Sequence, residues 1–399
     1  MGINIQFRRG TAAEWTAANP TLLAGEVGFE TDTLKLKVGT GSTAWTALSY
    51  YGAAPLPNRN AIINGSFAVA QRGAGPFTST TLPINSDDTY LLDRWTLLSD
   101  GNDVVDVSQE TSATITNPLY NIKLDVETAN KKFGIVTILE NKDSRRLANQ
   151  TVSLSFKAKG TKVGGSLTVN AIRAVVLSWT STADVVTSDV VSTWEAAGAN
   201  PTWAANLTAE NTPVALAALT ESWQTYKIEG IAIDTAGATN VLVFIWADDV
   251  TMDLGDFLQI AEVQLEIGSA ATPFEYKPYQ QELALCQRFA WGLTTVVAAE
   301  NIAFGIAAST TVAYVSIFLP VSMRATPTLS IATATDWKLY DGVNAATDVT
   351  ALVIDDKTMS NFQLVTLKAT VASGLTQYRS YWLTEDATIS RLLVLSAEL

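Results

Sequence analysis

Residues 151–156, Thr-Val-Ser-Leu-Ser-Phe, alternate between polar and apolar side chains. A β-strand points successive side chains to opposite faces, so the pattern places Val152, Leu154 and Phe156 together on the buried face of a sheet. The stretch therefore predicts a half-buried strand, and the rest of the chain can be interpreted outward from it.

Further β-rich runs surround this strand from residue 62 to residue 279, separated by clusters of Gly, Asn, Asp, Thr and Pro. They are Tyr90–Leu98, Gly134–Glu140, Ser166–Trp179, Trp223–Ile233, Asn240–Trp246 and Phe257–Ile267. Short strands at this spacing without long helices are typical of a β-sandwich or jelly roll. Residues 180–220 are rich in Ala and Thr and irregular in pattern, which indicates an elaborated loop between strands.

A helix is predicted at Pro278–Trp291, where Leu283, Cys286, Phe289 and Ala290 recur at helical spacing. Beyond it, short β-rich runs continue as far as Leu395. We expect the helix to link the jelly roll to a second, smaller β-sandwich.

The N-terminal residues predict one helix and one hairpin. Thr11 and Glu14 fit a capping box before a helix at Ala12–Ala18. Apolar positions then alternate on both sides of the turn at Asp32 and Thr33. Such a small module cannot bury enough surface alone, so it must dock on other copies or on a neighbouring protein. The side chains expected at this attachment or oligomer interface are Phe7, Arg8, Trp15, Val27, Phe29 and Leu36.

Ala53–Asn58 has the Pro-rich composition of a linker and marks the first domain boundary. The predicted fold is mainly β, in three parts. Residues 1–55 form the helix-hairpin module, residues 56–280 the jelly roll, and residues 281–399 the linker helix with the second, smaller β-sandwich.

Composition excludes several classes of function. The net charge is −13 and the chain has no histidine, which argues against a nucleic-acid partner and excludes His-dependent triads and imidazole metal sites. Cys286 is alone, so it cannot form an internal disulfide, and its helical spacing favours packing. We expect no signal peptide and no membrane insertion, because the longest apolar runs are too short to span a bilayer.

The 39 acidic residues leave a glycosidase mechanism open, since it needs only two carboxyl groups facing a sugar. The pairs Asp87-Asp88, Asp248-Asp249 and Asp355-Asp356 are adjacent, however, and neighbours on a strand project to opposite faces. We therefore predict no catalytic residues, no enzymatic activity, no bound metal and no cofactor.

Eleven Trp and eleven Tyr residues are suited to gripping a neutral polysaccharide, because a flat ring can cover the apolar face of a sugar. Aromatic residues within strand-like runs are expected to pack in cores. The candidates for exposed glycan-binding platforms are Trp194, Trp203, Tyr378, Tyr381 and Trp382. For each of them, the alternative is a buried anchor for a loop.

Several segments resemble known bacteriophage proteins. Ile5–Thr11, Glu14-Trp15, Leu22–Phe29 and Lys35–Trp45 resemble the N-terminal module of many tail fibres. Further segments resemble the opening and closing parts of a carbohydrate-binding-module-like jelly roll. They are Asn64–Phe67, Gln71–Gly73, Leu92–Trp95, Ala261–Glu266, Ala271–Tyr279 and Leu283–Arg288. Phe318–Pro320, Met323–Pro327 and Ser396–Leu399 are similar to its usual C-terminal partner domain.

This resemblance implies a homotrimeric fibre on the virion, made in the host cytoplasm. Its N-terminus would attach to a phage tail, baseplate or capsid protein, and its distal domains would bind a bacterial surface polysaccharide. The alternatives are a head fibre that decorates the capsid or neck, and a polysaccharide depolymerase. Related jelly rolls often hold a structural calcium ion in the regions occupied by Asn64 and Glu262; Glu stands where many relatives carry Asp, which favours a cap or turn role.

Overall fold

In the computed structural model, the chain folds into two compact units, residues 1–59 and 60–399. The structure describes residues 7–48, 50–51, 58–80, 82–112, 114, 118–161, 172–248, 252–294, 300–355, 363–386 and 392–399. Most of the predicted linker at Ala53–Asn58, and the first part of the predicted run Ser166–Trp179, lie outside the described residues.

The N-terminal unit contains β1 (Arg8–Gly10), α1 (Ala12–Ala18), β2 (Val27–Glu30), β3 (Leu36–Val38) and a 3-10 turn at Trp45–Ala47. Helix α1 begins at the predicted capping box: Thr11 Oγ1 accepts from Glu14 N at 3.2 Å, and Glu14 Oε2 accepts from Thr11 N at 2.7 Å. Strands β2 and β3 form the predicted antiparallel hairpin. Strand β1, parallel to β2, was not predicted, because three residues are too few to show a period.

The core of this unit is small. Trp15 and Trp45 stack with ring centroids 4.0 Å apart, and Leu22 completes the buried cluster. The stack lies flat against the hairpin at Gly28, where an added Cβ would be 2.4 Å from the Trp45 ring. Glycine is therefore required there by the close approach of the indole.

The first part of the second unit is a β-sandwich. Its elements are β4 (Thr89–Tyr90), β5 (Thr96–Ser99), β6 (Val105–Thr111), β7 (Tyr120–Val126), β8 (Phe133–Ile138), α2 (Asn141–Ser144), β9 (Thr151–Thr161), β10 (Ile172–Trp179), β11 (Val191–Thr193), β12 (Thr202–Trp203), β13 (Leu207–Ala209), β14 (Gln224–Ala232), β15 (Asn240–Ala247) and β16 (Phe257–Ile267). One sheet has the order β13-β10-β15-β8-β5-β4 and the other β14-β9-β16-β7-β6. The predicted mainly-β class is confirmed.

The two sheets enclose a core that contains Val152, Leu154 and Phe156 of β9, as predicted. The six-stranded sheet is also covered on its outer face, where a second buried cluster includes Phe244, Trp246, Phe289 and Leu399. Every residue of β15 is consequently buried. Burial on both faces explains why this strand is a continuous apolar run and does not alternate.

Helix α3 (Tyr279–Gln287) follows the sandwich and is shorter than predicted, since a strand begins three residues after it ends. The remaining strands are β17 (Ala290–Thr294), β18 (Asn301–Ala307), β19 (Val312–Phe318), β20 (Thr328–Ile331), β21 (Trp337–Tyr340), β22 (Thr347–Ile354), β23 (Leu364–Val371), β24 (Ser380–Glu385) and β25 (Leu392–Ser396), with a 3-10 turn at Ala334–Asp336.

The second β-domain is a closed barrel of order β18-β19-β23-β22-β21-β24, beside a three-stranded sheet β17-β25-β20. It differs from the expected two-layer sandwich because β24 pairs with both β18 and β21 and closes the sheet on itself. In both barrels and sandwiches, alternate side chains of each strand face inward, so the sequence pattern does not distinguish the two architectures. The interior combines Trp337 with the small side chains Ala307, Ala313 and Ala369.

The C-terminal residues connect the barrel part to the sandwich. The buried carboxylate of Glu398 pairs with Arg94 and with Arg72, whose Nη2 lies 3.3 Å from Oε1. Tyr90 donates a hydrogen bond of 2.8 Å to the Leu399 carbonyl. A boundary between residues 280 and 281 stays a prediction, because residues 60–399 form one compact unit.

Candidate functional site

Trp194 and Trp203 lie over the outer face of the six-stranded sheet. Both are half-buried, with Trp194 6.0 Å from the Phe244 ring and Trp203 5.9 Å from the Trp246 ring. The irregular segment that carries them thus folds back as a cover for this sheet. In this position the two indoles chiefly anchor the segment, which is the alternative that their sequence context left open.

The three aromatic candidates near the end of the barrel have different surroundings. Tyr378 is exposed, and Trp382 projects outward from β24, tilted against Phe304 with ring centroids 5.5 Å apart. Tyr381 is buried in the barrel interior, and its hydroxyl accepts a hydrogen bond from Thr376 N at 3.0 Å. Tyr381 and Trp382 are neighbours on one strand and therefore face opposite sides of the sheet. The assignment of Tyr381 to a glycan platform is therefore wrong, because its side chain faces the interior.

A groove lies on the outer side of the five-stranded sheet, whose central strand β16 is itself buried except at its two ends. Two cavities form it, of about 500 Å³ and about 260 Å³, and Glu262 lines both. Lys157, Lys227 and Phe274 line the larger cavity. The smaller cavity is lined by Leu119, Tyr120, Tyr276, Tyr279 and Glu282, together with Ser66, Ala68, Pro118 and Lys277.

Glu262 is held in place at the meeting point of the two cavities. Its Oε1 accepts from the Tyr276 hydroxyl at 2.5 Å, and its Oε2 lies 2.9 Å from Lys157 Nζ. Its φ of 52° is left-handed, and the β9–β16 register shifts between Ala261 and Gln264. This β-bulge turns an acidic side chain toward the groove, as bulges near functional sites often do.

Tyr276 combines a fixed hydroxyl with a partly exposed ring. Burial of the hydroxyl end and its hydrogen bond to Glu262 raise the pKa of the phenol above its ordinary value. The residue as a whole is 62% exposed, and its ring makes a T-shaped contact with Phe274 at a centroid distance of 4.8 Å. Tyr279, at the start of α3, is 52% exposed on the same cavity. Together they form an aromatic wall above a polar floor, which is the arrangement suited to a sugar.

Sequence reasoning did not identify Tyr276 and Tyr279 as site residues. A usable signal is present in the sequence: Phe274 and Tyr276 lie between Pro273 and Pro278, Tyr279 follows directly, and none of the three is in a strand. Aromatic residues that no strand places in a core are the ones left for the surface.

The two positions considered for calcium are occupied by other interactions. Asn64 has φ 56°, its side chain bonds Val69 and Asp93, and its N–H donates to the buried Glu282. Glu262 has the Lys157 ammonium beside it where a cation would bind. In the described part of the chain, no group of three or more acidic or thiol side chains is placed to hold a metal ion.

The predicted interface residues of the N-terminal unit divide between two faces of its sheet. One face of the sheet carries Arg9, Phe29 and Leu36, which are in register on neighbouring strands. Because side chains alternate along a strand, Val27 and the exposed Phe7 lie on the same face. This apolar face is only half-buried. Arg8 and Trp15 lie on the opposite side, where the guanidinium sits 5.3 Å from the indole ring. Trp15 is therefore a core residue, which corrects its assignment to the interface.

The residues considered for chemistry are mostly engaged in structure. Cys286 is buried, and burial raises the pKa of its thiol well above the ordinary value. Asp248 is buried between Lys132 and Arg173, with the shortest contact 2.6 Å. Asp249 and Asp356 lie outside the described residues.

Comparison with known proteins gives matches at both the sequence and the fold level. Residues 5–43 match the family described as the major tropism determinant N-terminal domain. A 48-residue stretch is 44% identical to a hyaluronoglucosaminidase of Streptococcus pyogenes phage H4489A, covering 12% of this chain and 13% of that protein. The chain therefore matches only a small part of this relative.

The solved structures that the chain matches include the enzymatically active domain of bacteriophage CBA120 tailspike protein 4, at 13% identity and a TM-score of 0.31 over 53% of this chain and 22% of that one. The xylan-binding domain of carbohydrate-binding module 22 gives 13% identity and a TM-score of 0.27 over 47% and 95% of the two chains. The family match and the phage relative confirm the predicted resemblance to phage tail fibre and receptor-binding proteins.

The prediction that the protein is not an enzyme is contradicted by the phage relative, which bears the name of a glycosidase. A chain without histidine loses imidazole mechanisms, but two carboxyl groups from distant parts of the sequence suffice for a glycosidase. None of the helices in the described part is long and apolar enough to cross a membrane.

Proposed function

We propose that this protein is a phage tail fibre or receptor-binding protein that is part of the virion. Residues 1–55 attach it to a tail, baseplate or capsid protein, and the distal domains bind a polysaccharide on the bacterial surface. The N-terminal family match supports the attachment role. The groove at Glu262 supports the binding role.

The observation that carries the proposal is the pairing of exposed aromatics with fixed polar groups in that groove. Tyr276 and Tyr279 offer ring faces, while Glu262 and Lys157 offer an acceptor and a donor held 2.9 Å apart. Sugar rings need both, because their C–H faces pack on aromatics and their hydroxyls need hydrogen-bond partners. The sandwich fold places these groups in a groove on the outer side of the five-stranded sheet, where a long chain molecule can lie.

A homotrimer is the assembly that we propose. The half-buried face of Phe29, Leu36 and Val27 in the N-terminal unit gives copies an apolar surface to share. Three weak glycan contacts on one particle then act together through their effective concentration. Sedimentation equilibrium tests this assembly: a mass of three chains is expected, and a stable monomer at micromolar concentration would reject it.

The binding role is tested with Tyr276→Ala. Loss of one stacking ring is expected to weaken binding to purified host surface polysaccharide by about tenfold or more, with the fold intact by circular dichroism. Tyr51→Ala is the matched control, because Tyr51 is a similarly exposed tyrosine in the N-terminal unit. Equal binding by both variants and the wild type would exclude the groove as the site.

Electron microscopy of intact particles with a labelled N-terminus distinguishes attachment to the tail from attachment to the head. The tail assignment requires label at the tail or baseplate. Label over the capsid lattice would identify a head fibre.

A second candidate function is glycan cleavage, favoured by the name of the phage relative. Glu262 and Glu282 line the same cavity and come from β16 and α3, so they satisfy the need for two carboxyls from separate elements. Incubation with hyaluronan and with host capsule, followed by size-exclusion chromatography, tests it. Cleavage that is lost in Glu262→Gln and Glu282→Gln would establish the activity there, and unchanged polymer size would reject it.

A further inference from the structure

The lining of the groove has the opposite charge balance to the rest of the chain. The whole chain has 39 acidic and 26 basic side chains, which give a net charge of −13. The charged residues that line the two cavities are three lysines and two glutamates, namely Lys157, Lys227, Lys277, Glu262 and Glu282. Lysines therefore outnumber glutamates by one in the groove. A concave surface whose charge differs from its surroundings attracts ligands of the opposite sign.

Lys227 of β14 supplies an accessible ammonium group to the larger cavity. Its side chain is 48% exposed and points away from the core, since the neighbouring Tyr226 points into it. In the described part of the chain one carboxylate comes close, with Glu229 Oε1 4.0 Å from Nζ, which is too far for a hydrogen bond. That oxygen already accepts the Ala271 N–H at 2.8 Å. The Lys227 ammonium is therefore available to an external anion.

Lys157 lies on the neighbouring strand β9 and lines the same cavity. It pairs in register with Thr225, two residues before Lys227, so the two lysines are diagonal neighbours about 7–8 Å apart at the backbone. The Lys157 ammonium contacts Glu262 at 2.9 Å but its side chain remains 30% exposed, and an ammonium has three N–H groups to donate. Two long lysine side chains can therefore converge on one anionic group in this cavity.

The smaller cavity offers ring surfaces, and its charges are occupied within the protein. Lys277 Nζ donates to two backbone carbonyls, at 2.9 Å and 3.4 Å. The carboxylate of Glu282 accepts a backbone N–H, and the residue is only 4% exposed. The exposed parts of Tyr276 and Tyr279 are thus the main contacts available to a ligand here. This end of the groove suits a sugar ring without charge.

We propose that the groove selects an acidic polysaccharide in which a sugar with a carboxylate is followed by a sugar without one. Lys227 and Lys157 bind the carboxylate in the larger cavity, and the next ring packs on Tyr276 and Tyr279 in the smaller cavity. The acidic remainder of the chain repels such a polymer, so the lysines restrict its binding to the groove. The inference rests on the proposed function, glycan binding in this groove, and adds the charge of the glycan.

Isothermal titration calorimetry of the full chain tests the selection by charge. The probes are hexasaccharides of hyaluronan and of unsulfated chondroitin, each compared with a neutral derivative whose carboxylates are reduced to alcohols. At low salt, an acidic hexasaccharide is expected to bind about fivefold or more tightly than its neutral derivative. This advantage should fall to about twofold or less in about 0.5 M NaCl, because salt screens the lysines.

Lys227→Gln should weaken acidic binding about three- to fivefold and neutral binding less than about 1.5-fold. The fold should be unchanged, because Lys227 makes no hydrogen bond with the described residues. Lys142→Gln is the matched control: this lysine is also exposed, has a glutamate oxygen 3.9 Å away, and lines neither cavity. It should leave both affinities unchanged.

Three results would overturn the inference. They are equal or tighter binding of the neutral derivatives, unchanged acidic binding in Lys227→Gln, and no measurable binding of either acidic hexasaccharide. The proposed function is judged separately, with purified host surface polysaccharide. Binding of that polysaccharide that is weakened by Tyr276→Ala but insensitive to Lys227→Gln and to salt would keep the proposed function and remove the selection by charge.

Discussion

The two sheets of the sandwich share one core but differ on their outer faces. The six-stranded sheet is covered by the segment carrying Trp194 and Trp203, and by Phe289 and Leu399. The five-stranded sheet instead presents Lys157, Glu262 and the groove beside them. An aromatic residue over the first sheet packs, whereas one beside the second stays available to a ligand. The surroundings of an aromatic residue, an apolar cover over one sheet and a polar groove over the other, decide where binding can occur.

The largest expected effect comes from Phe244→Ala on the covered sheet. The Phe244 ring is fully buried and contacts Trp194, Trp203 and Trp246. Its removal should lower the free energy of unfolding by about 3–5 kcal/mol, measured by urea denaturation. Phe274→Ala, on the groove side, is the matched control and should cost less than about 1.5 kcal/mol. Similar losses in both variants would mean that the two faces do not differ as described.

Glu398→Gln tests the buried ion pairs that Glu398 forms with Arg94 and Arg72 of the sandwich. The change leaves Arg94 buried without its carboxylate, and leaves Arg72 with only Asp93, whose Oδ1 is 3.9 Å from its Nη1. Unfolding free energy should fall by about 3 kcal/mol, because unpaired buried charges are strongly destabilising. Thermal unfolding beside the exposed control Glu229→Gln provides the measurement. A loss below about 1 kcal/mol would show that the cluster contributes little.

Trp203→Ala and Tyr279→Ala compare a half-buried aromatic over the covered sheet with an exposed one at the groove. Trp203 packs edge-on against Phe244 and Trp246, so its loss should cost about 2 kcal/mol of stability. Tyr279→Ala should cost less than about 0.5 kcal/mol but weaken polysaccharide binding. Chemical denaturation and binding are measured on the same samples. The opposite ranking in stability would reverse the roles given to the two faces.

The smallest effect concerns pH and Asp106 on β6, an edge strand of the five-stranded sheet. Burial, then the nearby Glu127, Asp103 and Asp125, raise the pKa of Asp106 from 3.8 to about 6. The folded state then holds a proton that the unfolded state releases, so Asp106 lowers stability as the pH rises from about 4 to about 6.

Asp106→Asn should remove this pH dependence. The variant should be more stable than the wild type at pH 7, by less than about 1 kcal/mol because the group is partly exposed, and equal to it near pH 4. Thermal unfolding at both pH values measures the difference. Equal Tm differences at the two pH values would contradict the raised pKa.

Much of the fold could be predicted from the sequence because strand alternation reports burial on one face. β9 and the N-terminal helix and hairpin were predicted in this way. The closed barrel could not be, since inward-facing alternation is common to barrels and sandwiches. The short β1 could not be either, because it depends on a parallel partner 20 residues away.

The site was less predictable for a related reason. Tyr381 and Trp382 were given one role, although strand geometry alone places them on opposite faces. Glu262 faces the groove because of a bulge, which shifts the register and has no signature in composition. Tyr276 becomes a candidate site residue only through its contacts in space with Glu262 and Phe274. Such surroundings bring together residues far apart in the chain, so local patterns cannot show them.

The closure of the barrel has a consequence for proteins displayed close together. The edge strands of an open sheet have free N–H and C=O groups that can form hydrogen bonds with a strand of a neighbouring molecule. The six barrel strands described here each have two partners within their own chain. The barrels of crowded copies therefore lack the exposed edge strands that seed fibrous aggregates, which suits a surface that must remain free for a target.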